Sequence, residues 1–307
     1  MDEFEWGDPH DGAEYFTIHD ETGICMASAT DEELLEVSSY DPTEPGKILR
    51  VSKSSFMSYL YCARKYYWEK VALKDLRMPA TELMIRGGDI HKGYEDLNEN
   101  WEGQHSLRSL LPQDFDEPAY DSLAELEEQR LEAWGIEYFK PIEAEVKRVY
   151  YDAKNDVVIV GLLDGLARHP DGGLCIMELK TGTFNDGKIS RTRRELCFYR
   201  KVLMDMGITE PITHFCYIGP DANNQKFIDS MLKSPSKEVW VGSECGITIV
   251  EKVNKRSVTS FETTFDEFLV NIHGEEWPMS WDDWMCPQWC AFCASCEAEI
   301  TGIDVEW

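Results

Sequence analysis

Three residues in one short stretch could do hydrolytic chemistry: Asp164, Glu178 and Lys180. They lie in VVIVGLLDGLARHPDGGLCIMELKTG, residues 157–182. The run VVIVGLLDGLA is apolar and β-branched and reads as a buried strand. PDGG is a turn signal, because glycine takes the positive φ that other residues avoid. LCIMELK reads as a second strand. Strand alternation puts Glu178 and Lys180 on one face with Ile176, and Cys175, Met177 and Leu179 on the other. Both faces are mostly apolar, so this strand belongs in the middle of a sheet. A carboxylate and an ammonium are costly to bury there unless they are paired or hold a metal. A hairpin centred near Asp171 brings Asp164 level with Glu178, to within one residue. One acid per strand, with a lysine two residues on, is a hard-oxygen site for a divalent cation. The plainer alternative is a hairpin whose Glu178 and Lys180 merely pair at a sheet edge.

The second chemical grouping is sulfur. WDDWMCPQWCAFCASCEAE, residues 281–299, holds Cys286, Cys290, Cys293 and Cys296. Four thiols this close usually hold a soft metal. One arrangement is a local knuckle with all four on a single Zn²⁺. Of the chain's other cysteines, Cys175, Cys197 and Cys216 lie in apolar runs and read as small core residues.

The elements that must position these groups follow from periodicity. Residues 51–73 read as one helix, capped by Ser52 or Ser54, with Phe56, Leu60, Ala63 and Tyr67 at helical spacing. Cys62 lies on it, followed by Arg64 and Lys65. MIRGGDIHKGYEDL, residues 84–97, begins a second helix after Gly87 and Gly88, with His91 and Glu95 on one face. Residues 98–140 are acidic and helical and read as an insertion covering one end of the site. EAEVKRVYYD, residues 143–152, alternates as a strand carrying Glu143 and Glu145, of which Glu145 is preferred as a site acid. Residues 191–206 form a helix bearing Arg191, Arg193, Arg194, Arg200 and Lys201. ITHFCYIGP and the segments near VWVGSECGITIVEKV read as further strands, and FDEFLVNIHG as a short helix.

Composition bounds the partners. The chain has 307 residues, enough for one large domain or two small ones, and a net charge of −28. Residues 1–45 carry 14 Asp and Glu and no Lys or Arg. They read as a solvated acidic extension, with a strip that covers a DNA channel as the sharper alternative. In so acidic a chain a nucleic-acid surface must be a local basic track, and the 191–206 helix is the one such cluster. No apolar run is long enough to cross a membrane and no signal peptide opens the chain, which predicts a soluble, cytoplasmic protein.

Asp164 followed by Glu178-Leu179-Lys180 resembles the D…ExK core of the PD-(D/E)XK nuclease superfamily. The surrounding order resembles its RecB-type members: a Ser…Cys helix ending in a basic-aromatic run, a G…H motif at His91, the hairpin, then a Gln…Tyr helix. Tyr199 matches the tyrosine. Ala63 stands where proline usually follows the cysteine, and Glu195 stands where glutamine is expected, which puts that position's role in doubt. The cysteines resemble those of AddB and of the CRISPR spacer-acquisition exonucleases, where one early cysteine and three late ones hold a [4Fe–4S] cluster. On that resemblance Cys62, Cys286, Cys290 and Cys296 are the ligands, with Cys293 a substitute for one of them.

The resemblance implies an α/β, restriction-endonuclease-like fold: a mixed central sheet flanked by helices, with a C-terminal Cys-rich cap. It divides the chain into the extension at 1–45, a nuclease core at 46–284 with its insertion at about 98–140, and the cap at 285–307. It implies a metal-dependent DNA exonuclease, from a prokaryote or a virus, acting on ends or single strands in repair, recombination or CRISPR adaptation. Asp164, Glu178 and Lys180 are then catalytic. His91, Asp164, Glu178 and the Leu179 carbonyl hold Mg²⁺ or Mn²⁺, and Arg191, Arg193, Arg194, Tyr199 and Arg200 contact DNA. A helicase, recombination or CRISPR-integration partner is in keeping with it. The alternatives are a catalytically inactive nuclease-fold binding module and a zinc-knuckle interaction protein.

Overall fold

In a computed structural model of the chain, the hairpin predicted at 157–182 forms in the predicted register. Gly165 pairs antiparallel with Met177 and Arg168 with Leu174. The turn closes with the His169 N–H donating to the Gly173 carbonyl and the Gly172 N–H to the His169 carbonyl. Gly172 and Gly173 both take positive φ, 96° and 77°, which is the conformation their type permits at no steric cost.

The structure describes residues 18–19, 24–75, 79–113, 118–243, 245–282 and 285–302. The strands are β1 (Ile18–His19), β2 (Ile24–Cys25), β3 (Ser38–Ser39), β4 (Ile48–Ser52), β5 (Glu143–Asp152), β6 (Val157–Arg168), β7 (Leu174–Leu179), β8 (Ile212–Gly219), β9 (Lys237–Val241) and β10 (Ile247–Lys252). The α-helices are α1 (Asp31–Glu36), α2 (Lys53–Tyr61), α3 (Ala63–Tyr67), α4 (Glu82–Asn100), α5 (Pro118–Trp134), α6 (Ile136–Phe139), α7 (Asp186–Asp205), α8 (Gln225–Met231), α9 (Lys255–His273), α10 (Met285–Trp289) and α11 (Cys293–Thr301). No described helix is long and apolar enough to cross a membrane.

The chain divides into two compact units. Residues 79–148 and 161–261 make up the first. Its strands run in the order β6, β7, β8, β10, β9, with β7 parallel to β8 and the other neighbours antiparallel. β7 is central and buried along its whole length, as its two apolar faces require. Cys175, Met177 and Leu179 join Ile90, Tyr94 and Leu97 of α4 and Leu123 and Trp134 of α5 in one core cluster. The acidic segment before residue 140 is thus part of the core on that face. The opposite face of β7, which carries Ile176 and Glu178, is the side of α7. This is a mixed α/β fold, a sheet of parallel and antiparallel strands flanked by helices.

The second unit is built from the described residues up to 75, with 149–160 and those from 262 onward. Here β3 pairs parallel with β4, and β4 with the first residues of β6, Leu49 opposite Val157. The expected solvated leader is folded over part of its length. A capping box between Thr30 and Glu33 starts α1. Leu34 and Val37 are then buried with Ile48, Val149 and Val158.

Several expected helices differ in extent. The one expected over 191–206 already begins at Asp186, where Asn185 caps it by accepting the Lys188 N–H, and ends at Asp205. The helix over 51–73 breaks at Cys62, which is extended (φ −163°, ψ 117°) between α2 and α3. The Arg64 N–H at the break donates to the Pro278 carbonyl instead of to its own helix. The second helix starts at Glu82, before the two glycines, because Thr81 caps it by accepting the Met84 N–H. The short helix expected at FDEFLVNIHG belongs to α9, which begins ten residues earlier at Lys255.

Candidate metal and phosphodiester site

The site lies in the first unit, where the β6–β7 hairpin opens. Continuing the register one step beyond Gly165–Met177 sets Asp164 opposite Glu178. Both are buried, at 5% and 0% exposure. The Leu179 N–H donates to Asp164 Oδ2 at 2.8 Å, which holds the carboxylate at the strand end. Leu179 itself buries its side chain in the core.

Lys180 follows directly. It pairs with Glu178 and, at 2.9 Å, with Glu195 Oε2. The departure from glutamine at 195 therefore gives the lysine a second carboxylate. Tyr199, one turn further along α7, is 1% exposed. Burial first, and then the charges of Glu178 and Asp164, hold its hydroxyl well above the ordinary tyrosine pKa.

α4 brings His91 to the same place. Its Nδ1 lies 3.5 Å from Glu145 Oε1 and 3.7 Å from Asp164 Oδ2. Burial pushes the His91 pKa down, but the Glu145 carboxylate that its Nδ1 faces and the charge of Asp164 outweigh it, and the net shift is upward. Glu145 has φ of +50°, a left-handed backbone that costs a non-glycine residue about 1 kcal/mol or more. Its neighbour Glu143 is instead paired with Arg148. Glu145, not Glu143, is the strand acid that lies beside His91.

His91, Glu145 and Asp164 offer three ligand atoms within 4.8 Å of one another. One imidazole and two carboxylates are a donor set that could hold a divalent cation, with Glu178 on the neighbouring strand as a further acid.

The basic helix divides. Arg191 and Arg194 are exposed on α7, and Arg200 is half-buried. Arg193 is tied down, its Nη2 2.9 Å from Glu251 Oε2, and Glu251 also accepts from the Tyr217 hydroxyl.

Sequence reasoning missed the groups that brace the loop after Lys180. Asp221 accepts from the Gly182 N–H at 2.7 Å and from Arg86 Nη1 at 2.6 Å. Lys188 donates to the carbonyls of Thr181 and Gly182. Gly87 lets α4 approach the same loop, since a Cβ there would lie 3.3 Å from Thr181 Oγ1. No spacing rule links these positions. The one local signal is the turn sequence PDANN after β8, which marks a loop without saying what it binds.

In the second unit, Cys62 and the late cysteines are brought near one another. Burial, then Cys62 and Cys290, raise the Cys296 thiol to about 11. Cys290 is raised by burial, with Cys286 and Cys62 contributing. Tyr61 feels Cys286, Cys290 and Cys62 together. Cys293 is raised by burial and then by Glu297, Cys286 and Cys290. Among the described residues no three of these thiols lie within 4.8 Å of one another.

A buried hairpin carrying neighbouring acids and a lysine stands on a mixed sheet flanked by helices. The family model of the PD-(D/E)XK nuclease superfamily matches residues 50–297, and the chain belongs to that superfamily. The fold is accordingly restriction-endonuclease-like. Members of this superfamily usually use divalent metals, and their substrates are nucleic acids. No curated protein matches the chain. A solved structure described as the crystal structure of SSO0001 is similar at 14% identity, covering 81% of this chain and 86% of that one, with a TM-score of 0.34.

Proposed function

We propose that this chain is a divalent-metal-dependent deoxyribonuclease that acts exonucleolytically on DNA ends or single strands. Repair, recombination and CRISPR adaptation are the settings that such RecB- and AddB-like enzymes serve. The observation that carries the reading is the convergence of His91, Glu145 and Asp164 within 4.8 Å, beside Glu178 and Lys180.

Asp164, Glu178, Glu145 and His91, with the Leu179 carbonyl, would hold Mg²⁺ or Mn²⁺. When bound, such a cation polarises the scissile phosphate and makes a water acidic enough to attack it. Lys180 keeps its ammonium beside the acids, where it orients the attacking water and offsets charge building on the phosphate. Glu195 holds Lys180 from α7, and Tyr199 supports the acids from beneath. Arg191, Arg194 and Arg200 would meet phosphates along the DNA backbone, a contact that gives affinity without sequence preference.

The test is incubation of purified chain with end-labelled single-stranded DNA and Mn²⁺, with and without EDTA. Stepwise shortening that EDTA abolishes is expected. Intact DNA that is nonetheless bound would favour the second reading, a non-cleaving end-binding module. The feature in its favour is that Lys180 is neutralised by two carboxylates.

We also infer that Cys62, Cys286, Cys290 and Cys296 hold a [4Fe–4S] cluster, with Cys293 spare. A tetrahedral zinc site with Zn–S of about 2.3 Å would bring its sulfurs to roughly 3.8 Å of one another. No three of the described thiols lie within 4.8 Å of one another, so they are not gathered as tightly as a single zinc ion would hold them. Cys62 belongs to this neighbourhood through its effects on Cys290 and Cys296, and only the cluster reading gives it a role.

A further inference from the structure

Away from the hairpin acids, at the far end of β7, lies another group with metal-ligating chemistry. His169, Asp171 and His214 offer three ligand atoms within 4.8 Å of one another. His169 and Asp171 belong to the β6–β7 turn, and His214 stands beside Cys175 in the β7–β8 ladder. Three residues of strand separate Cys175 from Glu178, about 10 Å.

Both imidazoles are nearly inaccessible, at 2% and 3% exposure. They stack with centroids 3.6 Å apart and planes 17° from parallel. Their hydrogen bonds fix the tautomers. The Asp171 N–H donates to His169 Nδ1 at 3.1 Å, so the proton sits on Nε2 and is donated to Glu238 Oε1 at 2.9 Å. Glu238 is held in turn by the Trp134 Nε1–H at 3.1 Å. On the other ring, Thr213 Oγ1 donates to the Gly172 carbonyl at 2.8 Å. It therefore accepts from His214 Nδ1–H at 2.9 Å, which puts that ring's lone pair on Nε2.

Each imidazole thus has one N–H held by an outer partner, a carboxylate for His169 and a hydroxyl for His214. Metal-ligating histidines are oriented in this way, because the outer bond selects which nitrogen faces the ion. Asp171 is on the surface, where its pairing with Lys252 at 3.4 Å holds it weakly.

We propose that His169, Asp171 and His214 form a second cation site that clamps the β6–β7 turn to β8. Two imidazole nitrogens and one carboxylate suit a borderline first-row ion such as Zn²⁺ or Co²⁺ better than Mg²⁺. A bound ion would replace the Asp171 N–H at the His169 Nδ1 lone pair and would need the two stacked rings to turn apart. Nothing in this depends on the nuclease reading.

The test is Co²⁺ titration of the full chain carrying Asp164→Asn and Glu178→Gln, which silences the hairpin acids. Cobalt on thiolates shows intense charge-transfer bands, whereas cobalt on imidazole and carboxylate shows only weak visible ones. One thiolate-free equivalent is expected. Adding His214→Gln should remove it, and adding Asp171→Asn should weaken it at least tenfold. Absence of that equivalent in the parent, or identical titrations of all three proteins, overturns the proposal. If circular dichroism shows His214→Gln misfolded, Asp171→Asn, altered only at an exposed turn, decides alone.

Discussion

Asp164 and Glu178 each lie one residue beyond the Gly165–Met177 pair of the β6–β7 hairpin, and Asp164 Oδ2 accepts the Leu179 N–H at 2.8 Å. One backbone bond therefore ties the first acid to the strand that carries the second, so their separation is set by the sheet. Side-chain rotamers alone would leave it loose.

Asp164→Asn can still accept the Leu179 N–H, and Glu178→Gln keeps volume in a fully buried position. Both should fold and bind DNA while losing cleavage by about 10² or more, since the carboxylate charge is what a cation and proton chemistry require. Cleavage rates and gel-shift affinities, measured side by side in Mn²⁺, check this. Wild-type rates in both variants would remove these acids from the mechanism.

Glu195 should act through Lys180. Gln at 195 retains an acceptor for the ammonium 2.9 Å away, whereas Ala removes it and loosens the hold on the lysine. The expectation is cleavage within a few-fold of wild type for Glu195→Gln and a loss of more than tenfold for Glu195→Ala. A KM unchanged in both, with the effect confined to kcat, distinguishes positioning of Lys180 from loss of DNA contact. Equal defects would mean that the charge at 195, and not its hold on Lys180, is what matters.

Arg191 and Arg194 are exposed, while Arg193 is bound to Glu251. The double variant Arg191→Ala with Arg194→Ala should weaken DNA binding and flatten the salt dependence by about 0.7 per lost phosphate contact on single strands. Arg193→Ala should leave that slope alone and lower stability by about 1–3 kcal/mol, because it strips a hydrogen-bonded partner from half-buried Glu251. Salt titrations of binding and urea unfolding separate the two outcomes. A flattened slope in Arg193→Ala would contradict the assignment.

The hairpin was legible because its signals are local. Alternation assigns Glu178 a face, two glycines close the turn, and counting back from the turn pairs Asp164 with Glu178. Glu145 was favoured over Glu143 on weaker grounds, and the structure separates them by giving Glu143 to Arg148. What escaped depends on partners far along the chain. The break at Cys62 rests on an N–H that finds Pro278. Arg193 looked like one more base on a basic helix, because nothing near it announces Glu251. Asp221, Arg86 and Lys188 brace the loop after Lys180 from three separate segments. The stacked His169 and His214 meet only because β8 lies beside β7.

The cysteines carry the last expectation. If Cys62, Cys286, Cys290 and Cys296 are the cluster ligands, then Cys62→Ser and Cys290→Ser, purified without oxygen, should lose most of their iron and acid-labile sulfide. Cys293→Ser should keep both at wild-type levels. Loss of the cluster frees the break between α2 and α3 from the C-terminal segment, so the same two variants should melt earlier and be cut faster by protease near residues 285–302. The Asp164 and Glu178 hairpin belongs to the other unit and should keep its amide protection in hydrogen exchange. Equimolar zinc with no sulfide in the wild-type chain would replace the cluster with a knuckle, and iron retained in Cys62→Ser would take that residue out of the ligand set.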